Sequence, residues 1–137
     1  MRVAVIFVPQ AKRDKLLDIA KALASGIESQ GHRVDLVDAS RDVNTKLTIY
    51  QYIAVGTEVV SLFGGKIPTK VSEFLRSSGI VAGKRSFAFV TKKAMGAEKG
   101  LQRLMKQMES EGMFLKFSGV LSSSAEATEI GKRLSIN

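Results

Sequence analysis

Apolar positions along the chain follow two alternating patterns, short continuous runs and longer segments with helical spacing. The continuous runs lie at residues 2–8, 34–37, 52–55, 86–91 and 114–121. Such runs are typical of strands that are buried on both faces of a sheet. Because helical segments separate the runs, the pattern predicts an α/β domain with a doubly wound, five-stranded parallel sheet between two layers of helices.

Four amphipathic segments predict the helices. Their apolar faces carry Leu16, Ile19, Ala20, Leu23 and Ile27 in the first, Val71 and Leu75 in the second, Leu101, Leu104, Met105 and Met108 in the third, and Ala127, Ile130 and Leu134 in the last. Pro68 is a favourable first helical residue, so the second helix is predicted to begin there. Ser123 and Glu126 have the spacing of a capping box, which predicts the start of the last helix. Residues 40–48 are polar and leave room only for a short helix or an irregular crossover between strands two and three.

The fifth predicted strand contains two aromatic residues at an unusual spacing. Phe114 and Phe117 are three positions apart, which in a regular strand places their side chains on opposite faces. Aromatic residues on both faces are odd for a strand in the middle of a sheet. We therefore expect this strand to lie near an edge.

The predicted strand order is 2-1-3-4-5, and this order locates the ligand edge. In open α/β sheets, ligands bind outside the carboxyl ends of the strands, where the strand order reverses. For this order, the loops around that point are residues 9–14, 56–66 and 91–97. We expect any ligand chemistry to lie in these three loops.

Composition narrows the function classes. A length of 137 residues predicts one domain over residues 1–137, and the absence of cysteine excludes disulfides and thiolate sites and favours the cytoplasm. The single histidine leaves little metal chemistry, so no metal site is expected. The N-terminal apolar run is too short to cross a membrane. Neither a Gly-x-x-x-x-Gly-Lys-Ser/Thr loop nor a Gly-x-Gly-x-x-Gly fingerprint occurs, so nucleotide hydrolysis and dinucleotide binding of those types lack support.

The formal net charge of +8 indicates an anionic partner, and half of this excess lies near the predicted ligand edge. The charged residues there are Lys12, Arg13, Lys15, Lys66, Lys92 and Lys93 against Asp14 and Glu58, a net charge of +4. Solvated loop charge and anion binding are both compatible with this count. An acidic protein fits such an edge, whereas nucleic acid has weaker support because aromatic residues are not interleaved with the charges.

At this point the chain resembles the flavodoxin family and related flavin reductases over almost its full length. The matching features are the strand end Tyr52-Ile53-Ala54-Val55-Gly56-Thr57, the pair Gly64-Gly65, Pro68 with Val71-Ser72-Glu73-Phe74-Leu75, and the loop from Thr91 to Ala97. Members of this family bind flavin mononucleotide (FMN). The resemblance implies that residues 56–64 and 92–97 flank the isoalloxazine ring.

The loop after the first strand departs from the family pattern. Flavodoxins place serine, threonine and glycine there, and their hydroxyls and backbone N–H groups surround the FMN phosphate. Here the loop reads Pro9-Gln10-Ala11-Lys12-Arg13-Asp14, with neither a hydroxyl nor a glycine. Asp14 would repel a phosphate at the helix start, whereas Lys12 and Arg13 would attract one.

Two functional hypotheses follow. The first, which the resemblance implies, is a flavodoxin-like protein that binds FMN weakly and acts in electron transfer with a redox protein as its partner. It would be a carrier or a reductase with no catalytic side chain of its own. Its candidate cofactor-binding residues are Gln10, Lys12, Arg13, Gly56, Thr57, Phe63, Gly64, Lys93, Met95 and Gly96. The second is a flavin-free module that binds a protein, a nucleic acid or a phosphorylated metabolite through its basic strand-end loops.

Overall fold

A computed structural model describes residues 1–61 and 64–137, and its centre is a five-stranded parallel sheet. The strands are β1 (Arg2–Val8), β2 (Arg33–Asp38), β3 (Tyr52–Thr57), β4 (Arg85–Thr91) and β5 (Phe114–Leu121). Their order across the sheet is β2-β1-β3-β4-β5, and each neighbouring pair is parallel. The predicted fold class and strand order are confirmed, and β3 is the central strand.

Helices cover both faces of the sheet, as right-handed crossovers in a doubly wound fold require. They are α1 (Arg13–Glu28), α2 (Lys70–Ser77), α3 (Ala97–Ser110) and α4 (Ser124–Arg133). Val3 and Val5 of β1 pack in the core beneath α1 and α4, whereas Ala4 and Ile6 pack in the core beneath α2 and α3. Burial on both faces explains the continuous apolar runs of β1, β3 and β4, whereas the edge strands β2 and β5 are only partly buried. Among the described residues, every helix is too short or too polar to span a bilayer.

The crossover from β2 to β3 is irregular, as its polar composition predicts. Leu47 anchors it by burying its side chain completely in the core. The Tyr50 hydroxyl donates a hydrogen bond of 2.7 Å to the Asp35 carboxylate of β2. The crossover therefore packs against the sheet without forming a helix.

The starts of two helices can be compared with the predictions. Pro68 does not begin α2, whose first helical residue is Lys70. The Pro68 carbonyl oxygen accepts the Val71 N–H in a turn that leads into the helix. The predicted cap of α4 is confirmed. The Ser123 hydroxyl accepts the Glu126 N–H at 3.2 Å, which satisfies one of the free donors of the first turn.

A β-bulge changes the faces of β5. Phe114 lies opposite Arg85 and Phe117 lies opposite Phe87, so β5 has one residue more than β4 between these pairs. Residues paired across parallel strands point to the same face, and the extra residue therefore brings both phenylalanines to the side of α1 and α4. The expectation that they lie on opposite faces is wrong. β5 is an edge strand, as expected, and Phe114 and Phe117 remain 57% and 53% exposed.

Candidate functional site

The loops that follow β1, β3 and β4 meet at one edge of the sheet. Val8 at the end of β1 pairs with Thr57 at the end of β3, so the residues that follow these two strands are neighbours. Between the loops lies a crevice of about 440 Å³. It is lined by Gln10, Ala11, Lys12, Lys15, Glu58, Val59, Val60, Thr91, Lys92, Lys93 and Ala94.

Glu58 lies at the base of this crevice and its side chain is turned toward the loop after β1. The backbone N–H of Gln10 donates to Oε2, and those of Ala11 and Lys12 donate to Oε1 at 3.1 and 2.7 Å. Three converging N–H groups form a concave anion-binding site of the kind that holds phosphate in other proteins. Glu58 is only 5% exposed, and the hydrogen bonds compensate for the burial of its charge. The chain therefore supplies its own anion to this site.

Arg13 points away from the crevice and toward β2. Its guanidinium forms an ion pair with the buried carboxylate of Asp38 and lies over the Phe7 ring, 5.5 Å from the centroid. The Ser40 N–H and hydroxyl also donate to Asp38, at 2.9 and 2.6 Å. Burial on its own would raise the pKa of Asp38, but the hydrogen bonds from Arg13 and Ser40 outweigh burial and hold the pKa below its usual value. Arg13 thus anchors the start of α1 to β2.

Lys93 is engaged in holding the loop that carries Glu58. Its ammonium group donates to the carbonyl oxygens of Val59 and Ser61, at 3.0 and 2.7 Å. Gly100 of α3 lies so close to Val59 that an added Cβ would be 2.3 Å from the valine methyl carbon. The loop that carries Glu58 is therefore held by the Lys93 ammonium group and packed against α3.

The structure distributes the predicted site residues over several places. Gln10, Lys12 and Lys93 line the crevice, whereas Met95 and Gly96 line a neighbouring cavity of about 510 Å³. Gly64 lines a third cavity, of about 560 Å³, beside α3. Phe63 lies outside the described residues.

Gly56 and Thr57 serve the sheet itself. A Cβ on Gly56 would meet the Phe89 ring at 2.0 Å, so this glycine is needed for packing between β3 and β4. The Thr57 hydroxyl donates to the Val8 carbonyl at 3.0 Å and is fully buried. Sequence reasoning counted Glu58 only as a charge. The signal that it missed is the position of Glu58 directly after β3, beside the end of β1.

Neither a family model nor a curated protein sequence matches the chain. Solved structures do match it. Flavodoxin 1 from Bacillus cereus has a TM-score of 0.75 and 16% identity, with 98% of this chain and 100% of that one covered. The fold is flavodoxin-like. An archaeal flavodoxin has a TM-score of 0.67 with 18% identity, covering 94% of each chain, and the Streptococcus pneumoniae flavodoxin has 0.69 with 14% identity, covering 97% of each.

FMN is the cofactor that this fold implies, and the residues at the phosphate end do not fit it. A phosphate placed among the N–H groups of residues 10–12 would occupy the space of the Glu58 carboxylate and be repelled by its charge. Arg13, the guanidinium predicted to attract the phosphate, is committed to Asp38. Both features oppose a bound phosphate in the arrangement seen here.

Proposed function

We propose that this protein is a flavin-free, flavodoxin-like binding module whose strand-end edge docks an acidic segment of a partner protein. The observation that carries the proposal is the Glu58 carboxylate held by three backbone N–H groups. It fills a preformed anion site of the crevice, while the surrounding rim is strongly basic. This combination favours attraction of an acidic surface over capture of a single phosphate.

The basic rim extends beyond the crevice along α3. The crevice and the cavity beside Met95 share Lys92 and Lys93, and that cavity shares Lys99 with the one beside Gly64. The cations that line the three cavities, which we call the basic band, are Lys12, Lys15, Lys92, Lys93, Lys99, Arg103 and Lys106. Only Glu58 and Glu98 oppose them among the described lining residues. A band of one sign attracts an extended anion and accelerates its association.

An acidic protein segment fits the basic band better than nucleic acid does. None of the described residues lining the three cavities is aromatic, so the band offers no platform for stacking bases. Six of its seven cations are lysines, which act as point charges and not as the bidentate forks that read base edges or phosphates. The carboxylate side chains of an acidic protein segment can be bound by such point charges alone.

The second candidate is the weak FMN binder acting in electron transfer. Its support is the fold together with the three converging N–H groups, which would suit a phosphate once Glu58 had moved away. Binding would then have to displace a buried carboxylate and disturb a loop held by Lys93. This cost is why we place the flavin-free module first.

Titration of the wild-type protein with FMN and with a poly-glutamate peptide tests both candidates. We expect unchanged flavin fluorescence and saturable peptide binding that weakens steeply with added salt. The double variant Lys92→Glu/Lys99→Glu should lose most of the peptide affinity. Lys21→Glu, an equally exposed change on α1 outside the band, is the control and should reduce it much less. Saturable micromolar FMN binding without peptide binding would reverse the order of the two candidates.

A further inference from the structure

Helix α4 is held unusually close to α1, away from the edge of the sheet. A Cβ on Gly131 would lie 2.5 Å from the Leu23 carbonyl oxygen, and one on Gly26 would lie 2.3 Å from the Thr128 carbonyl oxygen. The two helix backbones are thus in contact through these glycines. On the same face of the sheet, Phe117 of β5 stays half exposed. α4 therefore leaves part of β5 uncovered.

A cavity of about 370 Å³ lies between α4 and β5. Phe117, Ile130 and Leu134 give it an apolar wall, and Lys116 and Arg133 bring positive charge to it. The Arg133 guanidinium lies 4.0 Å from the Glu129 carboxylate, but its side chain is 82% exposed and such surface pairs are weak. Among the described residues that line the cavity, none is acidic. Its size is at the lower end for pockets that bind small molecules.

Tyr52 also lines this cavity, and its hydroxyl is unsatisfied. The side chain is 0% exposed, and no group among the described residues hydrogen-bonds to the hydroxyl. Burial raises the pKa of Tyr52 to about 12, although Arg85 acts in the opposite direction, so the phenol stays a neutral donor at ordinary pH. A buried hydroxyl without a hydrogen-bond partner destabilises the folded state. A ligand that accepts its hydrogen bond would recover part of this cost.

We propose that this cavity binds a small apolar carboxylate, such as an aromatic acid. The apolar body packs on Phe117, Ile130 and Leu134, and the carboxylate complements the charges of Lys116 and Arg133. The Tyr52 hydroxyl supplies a donor for an oxygen of the ligand. This site is separate from the basic band and does not depend on the function proposed for it.

The probe for this site is 2-naphthoate, whose fluorescence can be followed because the chain has no tryptophan. Wild-type protein should bind it saturably with one site per chain, and 2-naphthalenemethanol, which lacks the charge, should bind more weakly. Tyr52→Phe should weaken naphthoate binding about tenfold through loss of one hydrogen bond. Phe117→Ala should weaken it at least as much.

Phe114→Ala is the matched control, because Phe114 is similarly exposed on the same strand, does not line the cavity and is connected with it only through Lys116, whose ammonium lies 5.1 Å from the Phe114 ring centroid. Its affinity for naphthoate should stay within about twofold of wild type, a difference worth about 0.4 kcal/mol. Thermal unfolding of each variant establishes that it is folded. Absence of saturable binding by the wild type would overturn the proposal, as would equal losses in Phe114→Ala and Phe117→Ala.

Discussion

A polar side chain is buried at each end of the central strand β3, and only one of the two has hydrogen-bond partners among the described residues. Glu58, which directly follows the strand, finds three backbone N–H groups in the loop after β1. Tyr52, the first residue of the strand, finds no partner for its hydroxyl among the described residues. The carboxylate of Glu58 thus occupies a site that could hold an outside anion, whereas the unpaired hydroxyl of Tyr52, a residue that lines a cavity, is an exception that calls for an explanation.

Replacing Glu58 should have the largest effect on this comparison. In Glu58→Ala, three N–H groups lose their acceptor at a partly buried position, and we expect the free energy of unfolding to fall by roughly 3 kcal/mol. Chemical denaturation measures this loss. Phosphate buffer should restore part of it relative to chloride at equal ionic strength, because the vacated site accepts an anion.

The control for this prediction is Glu58→Gln, which keeps one acceptor oxygen and removes the charge. Its free energy of unfolding should lie between those of the wild-type protein and Glu58→Ala. Phosphate should change the stability of Glu58→Gln very little. Stability that is unchanged in Glu58→Ala would contradict the internal-anion interpretation. So would a phosphate effect of the same size in the wild-type protein.

The close contact between α1 and α4 concerns the Tyr52 end of β3, because α4 also lines the cavity beside Tyr52. Gly131→Ala forces a methyl group against the Leu23 carbonyl oxygen, and we expect a loss of about 2 kcal/mol despite the better helix propensity of alanine. Gly119→Ala on β5 is the control, because its nearest neighbour would be at an ordinary 3.8 Å. Equal stabilities of the two variants by denaturation would mean that the helices are not packed this closely.

Much of the fold could be predicted from the sequence, because burial on both faces produces apolar runs that mark the strands directly. The bulge in β5 could not, because the spacing of Phe114 and Phe117 fits two aromatic residues on opposite faces of an edge strand as well as an extra residue that brings both to one face. Glu58 was visible as a charge, but its role depends on residues 46 to 48 positions away that only the β1–β3 pairing brings near. Similarly, the cavity beside Tyr52 depends on the position of α4, which supplies Ile130 and Arg133 to its lining.

The dependence of the free energy of unfolding on pH, above pH 10, should reveal the burial of Tyr52. Its pKa is raised to about 12 in the folded state, so its ionisation leaves the stability unchanged below pH 10 and lowers it as the pH rises from 10 toward 12. The loss should be roughly 1 kcal/mol at pH 11, and it should approach roughly 3 kcal/mol only above pH 12. Measured as the difference between wild type and Tyr52→Phe, it should grow only above pH 10. A difference that is constant from pH 7 to pH 11 would show that Tyr52 titrates normally.

At neutral pH, Tyr52→Phe should have the smallest effect, and it should have the opposite sign. Removing a buried hydroxyl that has no partner eliminates a desolvation cost, so we expect the variant to be more stable by up to about 1 kcal/mol. The control is Tyr50→Phe, which removes a hydroxyl that donates to Asp35 at 2.7 Å and should therefore be destabilising. Denaturation in urea measures both. If Tyr52→Phe were destabilised as much as Tyr50→Phe, the hydroxyl of Tyr52 would have a partner in solution, and the two ends of β3 would differ only in which group satisfies them.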